Sequence, residues 1–393
     1  MSEKIPKEWK WVKLGEVADV RDGTHDSPKE AIDGKYLITS KHIKNGKIDF
    51  SKAYKISLDD FEAINKRSKV DKYDILFSMI GTIGEMVIVD FEPDFAIKNV
   101  GLFKTGNKDL SRWIYYYLKS NDAQAEIYAS LKGSTQQYIT LGDLRNFPIP
   151  LPPLPEQKAI AEVLSSIDDK IDLLHRQNKT LEEMAMTLFR QWFIVPTKDG
   201  LPEGWEEKKL KDIYIFEKGI EPGSKNYLET PGIDTIRFIR VGNMLDNKAD
   251  VYIKKDLAGN SICKFDDLLV SFDGTVGRVS FGLAGCYSSG IRKIYSKDEI
   301  YNKLWLKHHI FTSEEIQDEI NMHAEGTTIL HASSSIDFLS FALPPKEKLD
   351  EYDMSLGQMY KKILHIKKQI QTLEKLRDTL LPKLMSGDVR IMK

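Results

Sequence analysis

One helical stripe in this chain is written twice. Ile160, Leu164, Ile167, Ile171, Leu174, Asn178, Leu181, Ala185 and Leu188 advance in alternating steps of four and three. Adding 192 to each number gives Tyr352, Leu356, Met359, Ile363, Ile366, Ile370, Leu373, Arg377 and Leu380. That spacing is the heptad rule of a coiled-coil seam. A lone helix carrying such a stripe is unstable in water, so the apolar face needs a partner. The second copy supplies one, and if the two halves of the chain are related by a twofold, the two helices run antiparallel.

The repeat extends beyond the helices. Pro6-x-x-Trp9 returns as Pro202-x-x-Trp205, and Gly133-Ser-Thr as Gly326-Thr-Thr. Asp74-Ile-Leu-Phe-Ser-Met-Ile-Gly81-Thr-Ile-Gly84 returns as Asp267-Leu-Leu-Val-Ser-Phe-Asp-Gly274-Thr-Val-Gly277, and Pro152-Pro153 as Pro344-Pro345. The expected fold is therefore α+β, with two similar globular domains alternating with two long helices. The boundaries predicted are 1–150 and 194–345 for the globular domains, and 151–193 and 346–393 for the helical spacers with the C-terminal tail.

Local signals fill in this outline. Tyr73–Met79 reads as a strand, Gly81–Gly84 as the turn after it, and Met86–Val89 as the returning strand. Leu110–Leu118 reads as a helix. The proline-rich run Pro148–Pro155 reads as a stiff spacer, because proline lacks an amide proton and clashes inside a helix. Pro155-Glu156-Gln157 then opens the first long helix, which is expected to reach about Phe193. From Ile160 to Leu188 it would rise about 42 Å. Asn178 at a seam position either fixes register or points to solvent. Pro382 is expected to end the second helix, with Gly387 starting a short tail.

Charge is high but balanced, 57 basic against 59 acidic residues, which argues against a lone non-specific DNA binder. Cys263 and Cys286 form no C-x-x-C pattern and are expected to be inert in a reducing, cytoplasmic setting. No secretory leader and no run long enough to span a membrane is read. Catalytic chemistry is equally absent: the phosphate-loop pattern G-x-x-x-x-G-K-[ST] is missing. The G-x-x-G pairs are better explained as turns. His308-His309, His323 and His331 lack metal-ligand spacing, and His308-His309 reads as a pair on a helix surface. No catalytic residue, metal site or cofactor is predicted.

Binding is the remaining chemistry. A pseudo-twofold chain suits a two-fold ligand, of which duplex DNA is the commonest. Candidate contacts in the first globular domain are Arg21, Thr24, His25, Ser40, Lys41, His42, Lys44, Asn45, Lys98 and Ser134-Thr135-Gln136-Gln137-Tyr138. Glutamine can pair with adenine through two hydrogen bonds. Those in the second are Arg237, Arg240, Asn243, Arg278, Ser288, Ser289, Arg292, Thr327, Thr328 and His331. Framework positions match across the repeat, such as Trp9 with Trp205 and Gly81 with Gly274. Candidate contact positions diverge, as where Gln136-Gln137-Tyr138 faces Ile329-Leu330-His331. Divergent loops on a duplicated scaffold are what reading two different half-sites needs.

Three stretches resemble the specificity subunit of type I restriction–modification systems. Leu188-Phe-Arg-Gln-Trp-Phe193 with Gly200-Leu-Pro-x-Gly-Trp205 is similar to the family's central junction. Leu380-Leu-Pro-Lys-Leu-Met-Ser-Gly387 is similar to its C-terminal signature, and Pro152-Pro-Leu-Pro-Glu-Gln157 to its helix start. Pro344-Pro345-Lys-Glu-Lys348 departs from that last pattern. The resemblance implies a non-catalytic subunit that reads an asymmetric, bipartite sequence in double-stranded DNA. It implies docking of two methylation subunits carrying S-adenosylmethionine, joined by restriction subunits using ATP and Mg, with the helices as a ruler between half-sites. Alternatives are a methylation-only complex, a coiled-coil protein-interaction module, and an enzyme with an unfamiliar site.

Overall fold

A computed structural model describes residues 5–245, 251–327 and 330–391. The chain packs as two compact units, Met1–Ile171 with Leu373–Lys393, and Asp172–Thr372. Each unit therefore contains one globular region, part of the first long helix and part of the second.

In the first unit, strands Lys10–Lys13 and Pro148–Leu151 pair antiparallel, Lys10 opposite Leu151. The proline run is thus partly a strand, not only a spacer. An edge strand tolerates proline because the missing amide falls on the side that needs no partner. A four-stranded antiparallel sheet is ordered Asp19–Asp22, Val100–Lys104, Ile75–Ser78, Met86–Ile88. A second sheet is ordered Lys55–Ile56, Lys35–Thr39, Phe95–Lys98, with the last two strands parallel. The turn between Ile75–Ser78 and Met86–Ile88 forms as expected, with Gly81 and Gly84 at φ 81° and 89°, where a side chain would be strained. Helix Lys108–Leu118 packs Trp113 edge-on against Trp9, centroids 5.3 Å apart, while the Trp113 indole donates to Pro150 O (2.9 Å).

The second unit repeats this plan. Glu206–Lys209 pairs with Ser340–Leu343, and one sheet is ordered Ile215–Lys218, Ile291–Tyr295, Leu268–Ser271, Val279–Ser280. The other is ordered Tyr252–Lys254, Thr235–Ile239, Gly285–Tyr287, Ile262–Cys263. Cys263 and Cys286 are buried and unbridged, and burial pushes both thiols upward in pKa, to about 12 and about 11.

The first long helix runs Leu154–Phe189 and continues as a π turn over Arg190–Ile194. The second runs Lys346–Tyr352, a π turn Asp353–Gly357, then Gln358–Met385. Asp353 in that π turn accepts from the Trp305 indole (2.6 Å) and from Lys303 (3.0 Å). In the first unit, Ile160 and Leu164 share a core with Leu384 and Met385, and Arg377 pairs with Asp168 at 3.0 Å. In the second, Ala185 and Phe189 share a core with Leu356, Tyr360 and Ile363, and Lys367 lies 3.7 Å from Glu182. In both units the number rises along one helix as it falls along the other, so the paired segments are antiparallel.

Ile160, Leu164, Ile167, Ile171, Leu174, Leu356, Ile363, Ile366 and Ile370 are buried, while Leu181, Leu188, Met359, Leu373 and Leu380 are half-buried. Asn178 is buried, and its Oδ1 has no hydrogen-bond partner among the described residues. Two expectations are corrected. Pro382 does not stop the second helix, which runs through it to Met385. Burial of Leu384 and Met385 in the first unit's core holds the last turn against the loss of one backbone hydrogen bond. His308-His309 is not a surface pair. Their helix, Leu304–Thr312, is buried or half-buried along its whole length in the second unit. His309 is 1% exposed and stacks on Phe189, and His308 Nδ1 is 2.6 Å from the Tyr360 hydroxyl.

Candidate nucleic-acid interface

Strand register gathers the first unit's candidates at one end of its sheets. Strand Ile75–Ser78 ends opposite Val100, and strand Asp19–Asp22 ends opposite Gly101. The parallel strands Lys35–Thr39 and Phe95–Lys98 also end there, Thr39 beside Lys98, and Thr24 bridges to Lys98. The loop 132–138 closes as a hairpin through mutual Lys132–Tyr138 backbone bonds of 2.9 Å, and Tyr138 bridges back to Ile80. Residues more than a hundred positions apart in sequence thus share one edge.

Within that edge, Ser134, Thr135, Gln136, Gln137 and Tyr138 are all exposed, as are His25, Lys41, Lys44 and Asn45. A Cβ on Gly133, at φ 89°, would fall 2.4 Å from Gln136 O, so this tight hairpin requires glycine. His25 contacts Asn99 Oδ1 through Nδ1 (2.7 Å) and Asp22 through Nε2 (3.0 Å). Lys98 donates to Ser27 Oγ, and Thr24 is half-buried. Arg21 is half-exposed and donates to Asp19 (2.8 Å) and to Arg67 O (2.8 Å). Ser40 and His42 are inside: Ser40 bonds Asn99 O, and His42 Nδ1 accepts the Thr39 amide at 3.0 Å. Burial holds the His42 pKa below the usual histidine range.

The second unit builds the same edge. Ile239 lies beside Tyr287, Lys218 opposite Arg292, and Ile220 bridges to Ser288. Glu325 and His331 exchange backbone hydrogen bonds, and Leu330–His331 pairs with Asp273–Gly274. Thr327 and His331 are exposed, while Thr328 lies outside the described residues. Arg240 reaches Asn243 Oδ1 (3.3 Å), and Arg278 donates to Val241 O (2.9 Å). Arg237 lies mid-strand, half-buried, and Ser289 is half-buried at the strand end. Asn243, Ser288 and Arg292 are buried. Arg292 donates to Ser289 O (2.7 Å) and Ser333 Oγ (2.8 Å), and its NH1 lies 4.0 Å from Asp273.

Asp273 and Ser333 escaped the sequence reading. A signal was present: the repeat matches Asp273 with Ile80, a charged residue in an otherwise apolar frame. Among the described residues no group of three or more His, Cys, Asp or Glu could hold a metal, and no helix is long and apolar enough to cross a membrane. The arrangement offers hydrogen-bonding loops on a frame of paired strands, with His25 beside Asp22 and His331 beside Asp273.

The chain is similar to several known proteins. Residues 6–183 match the family model described as "Type I restriction modification DNA specificity domain". The specificity subunit of the type I restriction enzyme MjaIX from Methanocaldococcus jannaschii is 27% identical, over 99% of this chain and 95% of that protein. The HindI specificity subunit from Haemophilus influenzae is 24% identical, over 82% of this chain and 88% of that one. Among solved structures, the type I restriction–modification S subunit from M. genitalium matches with a TM-score of 0.59 at 17% identity, covering 98% of this chain and 97% of that one. Over residues 6–183 the chain matches the DNA specificity domain of type I restriction–modification systems, and along nearly its whole length it resembles the specificity subunits of such systems.

Proposed function

We propose that this chain reads an asymmetric, bipartite sequence in double-stranded DNA, one half-site through each globular domain, 1–150 and 194–345. The observation that carries this reading is the pair of backbone closures, Lys132 with Tyr138 and Glu325 with His331. Each is a reciprocal pair of backbone bonds and bridges to the matching strand end, yet the closing residue is Tyr138 in one and His331 in the other. A shared frame gives both halves the same approach to a groove. Different side chains give different base readout, since base edges carry the sequence information and phosphates do not.

The two helical segments, 151–193 and 346–393, dock two methylation subunits and set the gap between half-sites. A continuous 36-residue helix is about 54 Å long and holds a spacing that a flexible linker would not. Restriction subunits join this core in the cytoplasm. S-adenosylmethionine, ATP and Mg are expected on those partners. A genome-wide adenine-methylation map, with and without the gene, tests the proposal. Loss of one asymmetric bipartite motif on deletion is the expected result, and an unchanged map overturns it.

A further inference from the structure

The two backbone closures share a frame but are fastened by different side-chain chemistry. In the first unit, Ile139 N–H donates to Met79 O (3.1 Å), and the strand-end residue facing the hairpin is Ile80, packed against the apolar core. In the second, Ala332 N–H donates to Phe272 O (2.8 Å), which is the same attachment, but the facing residue is Asp273. Its Oδ1 takes the His331 ring Nδ1 at 2.8 Å across the strand pair. Its Oδ2 lies 4.0 Å from Arg292 NH1. The Arg292 side chain is 7% exposed and is held from behind by Ser289 O and Ser333 Oγ. Register places Gly101 of the first unit where Arg292 stands in the second, since Val100 faces Ser78 as Ile291 faces Ser271.

From this juxtaposition we infer that Asp273, backed by Arg292, is a positioning residue for DNA recognition: it aims His331 at the half-site read by the second domain. The inference rests on the reading of two half-sites proposed above. The physical argument is one of direction. His331 is a cross-strand partner of Asp273 and its side chain is 64% exposed, so without a bond its ring would sample several rotamers. The carboxylate fixes one ring face, and the buried guanidinium limits where the carboxylate can turn. A side chain held in one orientation discriminates base edges better than one that must be ordered on binding. The first domain has no such charge at Ile80, so its hairpin is insensitive to removing it.

The test uses the assembled methylation complex and two duplex libraries, each with one half-site randomised. Asp273→Asn is expected to reduce base discrimination in the second half-site about tenfold and to leave the first unchanged. In a His331→Gln background the same substitution is expected to add nothing, because Asp273 acts through His331. An equal fall in methylation on both libraries, with base preferences intact, would mark Asp273 as merely structural and overturn the inference. Additive effects of the two substitutions would also overturn it. Should Asp273→Asn fail to assemble because the buried Arg292 loses its partner, Asp273→Asn with Arg292→Met removes both charges and carries the same test. If the unaltered complex showed no preference in a second half-site, the bipartite reading itself would fall; a normal preference unmoved by Asp273→Asn would sink this inference alone.

Discussion

The heptad seam makes a quantitative claim about Leu164. Its side chain is fully buried, in a core shared with Ile160, Leu384 and Met385. Leu164→Ala removes three carbons from a site walled by two helices, where neighbours can collapse only in part. A fully buried leucine truncated in this way costs about 3–5 kcal/mol. Leu173 on the same helix, 39% exposed, is the internal control, and Leu173→Ala should stay within about 0.5 kcal/mol. For a unit of this size the urea slope is about 2–3 kcal/mol/M, so a loss of about 3 kcal/mol lowers the midpoint by about 1–1.5 M. Urea denaturation of both variants reads the shift, and hydrogen exchange followed by peptide mass spectrometry locates it. Exchange should rise in the unit of residues 1–171 and 373–393, which holds Leu164. Leu356→Ala, the repeat equivalent and also fully buried, should raise exchange in the unit of residues 172–372 instead. Equal midpoint shifts for Leu164→Ala and Leu173→Ala would refute the assignment of the seam.

Burial holds the His309 pKa down to about 3, so the ring is neutral in the native state while the unfolded chain titrates near 6.5. Above pH ~6.5 the ring is neutral in both states and adds no pH dependence. Between ~6.5 and ~3 the unfolded chain takes up a proton that the native state refuses, so stability falls as pH falls. His309→Phe should remove up to about 1.4 kcal/mol of that loss per pH unit; a pH–stability profile with unchanged slope would sink the claim. Gln136→Ala with Gln137→Ala should relax the half-site read by the first domain alone, at about 1–3 kcal/mol per lost bidentate contact. Methylation of duplexes randomised in that half reads this, and an equal loss on every sequence would mark the glutamines as phosphate contacts. One heptad inserted within 160–188, matched by one within 352–380, should lengthen the recognised gap and leave both half-sites unchanged. A methylation map showing altered half-sites and an unaltered gap would defeat the ruler.

Much of the fold was legible because it rests on periodicity. The stripes from Ile160 and from Leu356 obey one spacing rule, and helices with one apolar face have few ways to bury it. What was not legible depends on tertiary context overriding a local rule. Pro382 disrupts a helix in isolation, but Leu384 and Met385 are anchored in a core that begins at Trp9, far away in sequence. Pro148–Leu151 looks like a spacer until Lys10–Lys13 is placed beside it. His308 and His309 look like surface polarity until Phe189 and Tyr360 arrive from the two long helices.

The candidate interface divides the same way. The loop Ser134–Tyr138 was legible because glycine and short polar residues mark an exposed turn, and it is exposed. Arg292, His42 and Asn243 have the polar chemistry of a contact residue, yet they lie inside, where they hold other groups. Sequence gives a side chain's chemistry but not the side of the backbone on which its partners lie. In a duplicated chain the repeat supplies part of that missing information. Where both copies keep the same apolar residue, the position serves the frame. Where one copy places Asp273 and Arg292 against Ile80 and Gly101 of the other, a frame that needs neither charge has acquired two. The first copy makes the same backbone attachment with neither charge, so a pair of charges set beside His331 argues for a part in what that edge reads.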